Sequence, residues 1–189
     1  MELLTGILSA FGLSASAGLN AYIPLLVIGV TAHFTDLIHL SSPWDTLADP
    51  WILILLGILV IIEMLADKIP AINHINDLLQ TIVRPAAGAI VFAASAHVFS
   101  DIHPALALGC GLLIAGSVHV VKAAAVRPAV TATTGGAANI PVSIAEDILA
   151  TVTSLLAVLI PVLVGVFLLL LIAVLIWWFN KRANKQKLG

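Results

Sequence analysis

The sequence predicts an all-α fold, a polytopic transmembrane helix bundle, on three observations. Hydrophobic residues make up 61% of the 189 and charged residues 10%, where soluble domains carry about 25% charged residues. Mean hydropathy is +1.15. The apolar runs are continuous, whereas membrane β-strands alternate apolar and polar residues over about ten positions. A helix needs roughly 20 apolar residues to cross about 30 Å of hydrocarbon. The chain therefore reads as one transmembrane domain, 1–189, of about six spans with no room for a soluble domain.

The first span is expected over 3–30, interrupted near Gly18 to Pro24. The second runs over 51–66, the third over 85–99 and the fourth over 105–121, with two more between 128 and 179. The count of two rests on charge. Lys181, Arg182, Lys185 and Lys187 form the densest basic cluster, and cytoplasmic segments collect Lys and Arg. Lys68 and Arg84 follow the second span, and Lys122 and Arg127 follow the fourth. The opposite loops hold Asp36, Asp45, Asp49, Asp101, His33, His39 and His103 with no Lys or Arg. An even number of crossings after Arg127 puts every basic residue on one face, with both termini cytoplasmic and 180–189 as a basic tail. The competing reading is a re-entrant loop and one long helix kinked at Pro161. Trp177, Trp178 and Phe179 read as an interfacial belt, as do Trp44 and Trp51. The first turn carries Glu2 and no Lys or Arg, so Ala15-Ser16-Ala17 is not read as a secretory cleavage site.

Two segments align without a gap: 14–24 and 131–141. Ala15/Ala132, Gly18/Gly135, Ala21/Ala138, Ile23/Ile140 and Pro24/Pro141 are identical. They define a candidate internal repeat with halves 3–68 and 120–185. Gly and Pro loosen a helix, and freed backbone groups cannot face lipid; they are buried in protein or line a wet cavity. Two broken or re-entrant helices are therefore expected, with Ser16, Asn20 and Tyr22 at one break and Thr131, Thr134 and Asn139 at the other, as a solute pathway. Small residues also let helices pack closely, the plainer reading of the hydroxyls.

Ionisable residues form the second candidate set. Glu63 lies inside the second apolar run, and Asp67 stands four residues on, on the same helix face. Charges at depth face a cavity or a partner. Glu63, Asp67, Lys68, Asp77, Arg84, Arg127, Glu146 and Asp147 are thus expected as a charged gate or ion-pair network. The alternative is a solvated face on an amphipathic interfacial helix over 67–79. One cysteine, Cys110, excludes an internal disulfide. The six histidines show no HExxH or HxxxH spacing, and no P-loop or GxSxG elbow occurs, so no metal, no cofactor and no enzyme activity are expected. A net charge of −2 without an internal basic tract points away from nucleic acid.

The segments 16–25 (SAGLNAYIPL), 66–70 (ADKIP) and 84–89 (RPAAGA), with Asp77, resemble a family of small bacterial multi-spanning membrane proteins catalogued as a domain of unknown function. The resemblance covers nearly the whole chain and implies a membrane protein of this size. It carries no activity, ligand or catalytic residue. The expectation from the residues is a small-solute or ion transporter or channel of the bacterial inner membrane, in contact with the bilayer and expected as a homo-oligomer. The alternatives are a non-transporting scaffold or assembly partner, or a lipid-handling protein.

Overall fold

The computed structural model describes residues 2–99, 102–163, 166, 169 and 170, without the side chains of 2, 3, 70–75, 77 and 97–99. Asp77 as a gate residue, the aromatic belt at 177–179 and the basic tail lie outside what is described. Among the described residues the chain is helical with no strand. It is a membrane protein. Leu78–Ala96, Pro104–Thr134 and Asn139–Leu159 are long and apolar enough to cross a bilayer, and Leu4–Leu19, Tyr22–Phe34 and Pro50–Ala66 are shorter apolar helices.

The elements in order are α1 (Glu2–Leu19), α2 (Tyr22–Phe34), a 3-10 turn (Trp44–Ala48), α3 (Pro50–Ala66), α4 (Pro70–Phe99), α5 (Pro104–Val121), a π-helical turn (Lys122–Val126), α6 (Arg127–Thr134) and α7 (Asn139–Leu159). Local chemistry sets several ends. Asp49 accepts the Trp51 N–H at 2.8 Å ahead of Pro50, starting α3. His103 Nδ1 accepts the Ala105 N–H at 3.3 Å ahead of Pro104, starting α5. Gly135 and Gly136 take φ of 61° and 89°, the left-handed conformation that ends α6 and turns the chain into α7.

α1 is the central helix, packed on α4, α5 and α7. Its packed face is made mostly of small residues: Ala10, Leu13, Ser14, Ser16 and Ala17 are buried. α4 and α5 form the most extensive pairing. At their crossing Gly88 and Gly111 face each other so closely that a Cβ on Gly111 would collide with Gly88 O and come within 2.6 Å of Phe92 Cβ. Small residues at a membrane helix crossing let the backbones approach, since lipid supplies no hydrophobic drive for association.

Three expectations change. The interval 3–30 is not one interrupted crossing. Ser14 reaches Gly88 and Asn20 reaches Asp147, so α1 runs antiparallel to α4 and α7. Ala21 meets Glu63 near the end of α3, whereas Gly29 meets Leu47 and Leu53 at its start, so α2 runs antiparallel to α3. Trp44, in the 3-10 turn after α2, packs on the cluster of Ala10, Phe92 and Ala107, as does Ile102 of the α4–α5 loop. The chain therefore turns back at Asn20–Ala21, and the N-terminal half of α1 shares an end of the bundle with that loop. Second, the segment after Asp67 is continuous with α4, and Pro85 lies inside this helix rather than starting it. Its faces explain why: Gln80 and Arg84 are buried, while Leu78, Leu79 and Ile82 are 58–75% exposed. Polar residues turn inward because the surroundings are lipid. Third, α7 is unbroken from Asn139 to Leu159, so Pro141 sits in its first turn, where a missing N–H costs nothing. α7 supplies one of the two crossings expected after 128; the other falls outside the described residues.

Candidate functional site

The turn at Asn20–Ala21 frees backbone groups deep in the bundle, and four of them meet side chains. The Ala21 N–H donates to the Glu63 carboxylate, at 3.1 Å to Oε2 and 3.3 Å to Oε1. Asn20 Oδ1 accepts the N–H groups of Tyr22 and Ile23, both at 3.2 Å, capping α2. Pro24 follows with no N–H to satisfy. On the other side of the turn, Lys122 Nζ donates to Leu19 O at 3.1 Å. Asn20 is 1% exposed and Glu63 1%. The break expected here is present, with its freed groups held by charged and polar side chains.

Around this turn converge four carboxylates and four cations. Arg84, on α4, holds Glu63 Oε1 through Nε at 3.2 Å and Nη2 at 2.9 Å. Its Nη2 also lies 3.5 Å from Asp67 Oδ2. That oxygen lies 3.0 Å from Arg127 Nη2 and 3.7 Å from Lys122 Nζ, while Asn76 Nδ2 donates to Oδ1 at 2.6 Å. Lys122 pairs with Glu146 at 2.7 Å, and Lys68 with Asp147 at 3.2 Å. Asn20 Nδ2 donates to the remaining Asp147 oxygen at 3.1 Å, tying the turn into the layer. The net charge of these eight groups is zero, as a buried layer requires, because an unpaired charge at depth is costly. Asp67 ends α3 beyond its apolar run. Burial opposes its ionisation, but Lys122, Arg84 and Arg127 outweigh burial and hold its carboxyl below the ordinary 3.8.

Arg84 is a donor only, so the His119 Nδ1 at 3.4 Å from its Nη1 serves as the acceptor. The His119 proton then sits on Nε2, 3.2 Å from Thr81 Oγ1. Above the layer Ser16 Oγ lies 2.7 Å from Ser154 Oγ and donates to Ala150 O at 2.8 Å, continuing a polar seam between α1 and α7.

The structure thus brings Ser16, Asn20 and Tyr22 together with Glu63, Asp67, Lys68, Arg84, Arg127, Glu146 and Asp147. It does not bring Thr131, Thr134 and Asn139 there. Thr131 and Thr134 lie exposed and Asn139 half-buried at the α6–α7 hairpin, where Thr131 and Asn139 bond each other at 3.2–3.3 Å and Thr134 Oγ1 accepts the Ala138 N–H at 3.2 Å. Asn139 precedes Asp147 by eight helical residues, about 12 Å along α7. The two aligned segments do start a helix at equivalent positions, Tyr22 and Asn139. Their surroundings differ, one a buried corner and one an exposed turn. The sequence assigns Lys122 and His119 no site role. Lys122 follows the apolar run of α5 as Lys68 follows that of α3, and this parallel was the available signal. No group of three or more His, Cys, Asp or Glu suited to a metal occurs among the described residues.

No curated protein and no solved structure matches the chain. A family model described as Domain of unknown function (DUF4126) matches residues 7–181. With the match running from α1 past α7, the chain belongs to that family.

Proposed function

We propose that this protein is a transporter or channel for a small solute or ion in the bacterial inner membrane, held here with its pathway closed. The observation that carries the reading is the chain reversal at Asn20–Ala21, whose freed main-chain groups are held by a neutral layer of eight charges. Discontinuous helices in transporters present such groups to solutes, and paired ionisable residues inside a membrane mark solute and ion pathways. Opening would separate α3 and α4 from α1 and α7 at this layer. The basic end faces the cytoplasm. With α1 antiparallel to α4, the N-terminus would lie on the opposite face. A homo-oligomer remains part of the proposal.

Reconstitution in liposomes tests it, with flux measured for wild type, Glu63→Gln, Asn20→Ala and Asn139→Ala. The first two are expected to alter flux at least tenfold, and Asn139→Ala to leave it unchanged, since Asn139 lies a hairpin away. Flux that none of the three alters rejects the pathway. One observation favours a second reading, lipid handling. An apolar groove of about 470 Å³ opens between α1, α5 and α7, lined by Leu19, Val118, Val121, Val142 and Leu149. Phospholipid retained through purification, without flux, would favour that role.

A further inference from the structure

The π-helical turn determines what Arg127 can reach. The Arg127 N–H bonds Lys122 O, five residues back. In α geometry, five steps of about 100° would set the two side chains roughly 140° apart. Here both point at one carboxylate, 3.7 and 3.0 Å from Asp67 Oδ2. π turns inside α-helices recur at functional sites, and loss of the extra residue would rotate the downstream helix by about 100°. α6, which begins at Arg127, has no buried residue and packs on the π turn and α7, so its rotation disturbs little else. Gly135 and Gly136, in left-handed conformation, give it a pliable second end.

Asp67 is oversupplied with cations: Arg84, Lys122 and Arg127 all lie within 3.7 Å of one oxygen. If Arg127 leaves, the layer holds four carboxylates against three cations and carries one negative charge. Two buried polar atoms lie on the helix faces that carry the layer. Gln80 Oε1 and Ser143 Oγ are buried without a hydrogen-bond partner, in residues 3% and 2% exposed. Gln80 lies one helical turn from both Asn76 and Arg84, on the face of α4 that meets Asp67. Ser143 lies three and four residues before Glu146 and Asp147, on the face of α7 that meets the layer. A buried polar atom without a partner calls for a missing water, ion or ligand.

We propose that Asp67, Glu146, Gln80 and Ser143 form a binding site for a small monovalent cation, whose charge the Arg127 guanidinium supplies to Asp67 and Glu146 in this structure and withdraws when the π turn relaxes. It deepens the transport reading, since the bound cation would be the transported or coupling ion, but binding is measured without flux.

The test uses full-length protein in mild detergent, with N-methylglucamine chloride replaced by sodium, potassium or methylammonium chloride at constant ionic strength. Arg127→Gln should gain thermal stability saturably with one of these cations, by about 5–10 °C at a hundredfold excess over half-saturation. Asp67→Asn in the Arg127→Gln background restores neutrality and should abolish that gain. No saturable, cation-specific gain in Arg127→Gln, or the same gain in the double variant, overturns the site. Should Arg127→Gln not fold, otherwise wild-type protein with Cys110→Ala and spin labels at Thr133 and Ile62 decides. Their distance distribution should shift with the cation, and an unmoved distribution overturns the proposal. A cation response without liposome flux keeps the site and rejects transport; flux without a cation response does the reverse.

Discussion

Replacing Glu63 by Gln removes one negative charge from a layer in which four acids balance four bases. Arg84, with no exposed side-chain surface, loses the carboxylate it holds at 2.9 Å. Its remaining acidic contact, Asp67 at 3.5 Å, is already shared with Lys122 and Arg127. Removing one partner of a buried pair costs about 3–5 kcal/mol, mostly the desolvation of the charge left behind. The Gln carbonyl still accepts the Ala21 N–H, so the corner keeps its cap and the loss falls on Arg84. At roughly 2–4 °C per kcal/mol for a chain of this size, the melting temperature should fall by about 6–20 °C. Unfolding in mild detergent, followed by far-ultraviolet circular dichroism, measures it. Arg84→Met alone should cost a similar amount by stranding Glu63. The double variant Glu63→Gln with Arg84→Met removes both charges and should recover all but about 1 kcal/mol, because neither partner is left as an unpaired buried charge. A Glu63→Gln protein as stable as wild type would refute the reasoning, as would a double variant that loses the sum of the singles.

Two further predictions concern packing and charge. Gly111→Ala should destabilise by about 1–3 kcal/mol in the same assay, because its Cβ would collide with Gly88 O across the α4–α5 crossing. Gly109→Ala, on the same helix with nothing within 4 Å, should be neutral or gain up to about 1 kcal/mol. Equal effects at the two positions would show that close approach does not govern the pairing. For pH, the Asp67 carboxyl is held below 3.8 in the fold, so its stabilising share is present above that value and lost as pH falls through the lower folded value. The stability difference between wild type and Asp67→Asn should be constant from pH 7 to about 5 and shrink below about pH 4. A difference that widens with acidity contradicts the assignment.

Composition and the continuity of the apolar runs determined the helical membrane class, because solvation by lipid acts on every exposed residue alike. The apolar runs also located α3, α5 and the latter half of α4. Glu63 and Arg84 could be singled out for the same reason: a charge among aliphatic neighbours needs a partner wherever it lies. Which partner, and which way the chain ran, were not written locally. An Asn followed by Pro four residues on fits a kink, a re-entrant loop and a reversal equally well. Contacts of Ala21 with Glu63, and of Gly29 with Leu53, decided for reversal. The alignment of 14–24 with 131–141 matched two helix starts but could not tell a buried corner from an exposed hairpin, since burial depends on what packs from elsewhere in the chain. The aim of Arg127 came from five residues in π rather than α geometry. That small difference in winding is stabilised by carboxylates on α3 and α7, so only the assembled bundle could select it.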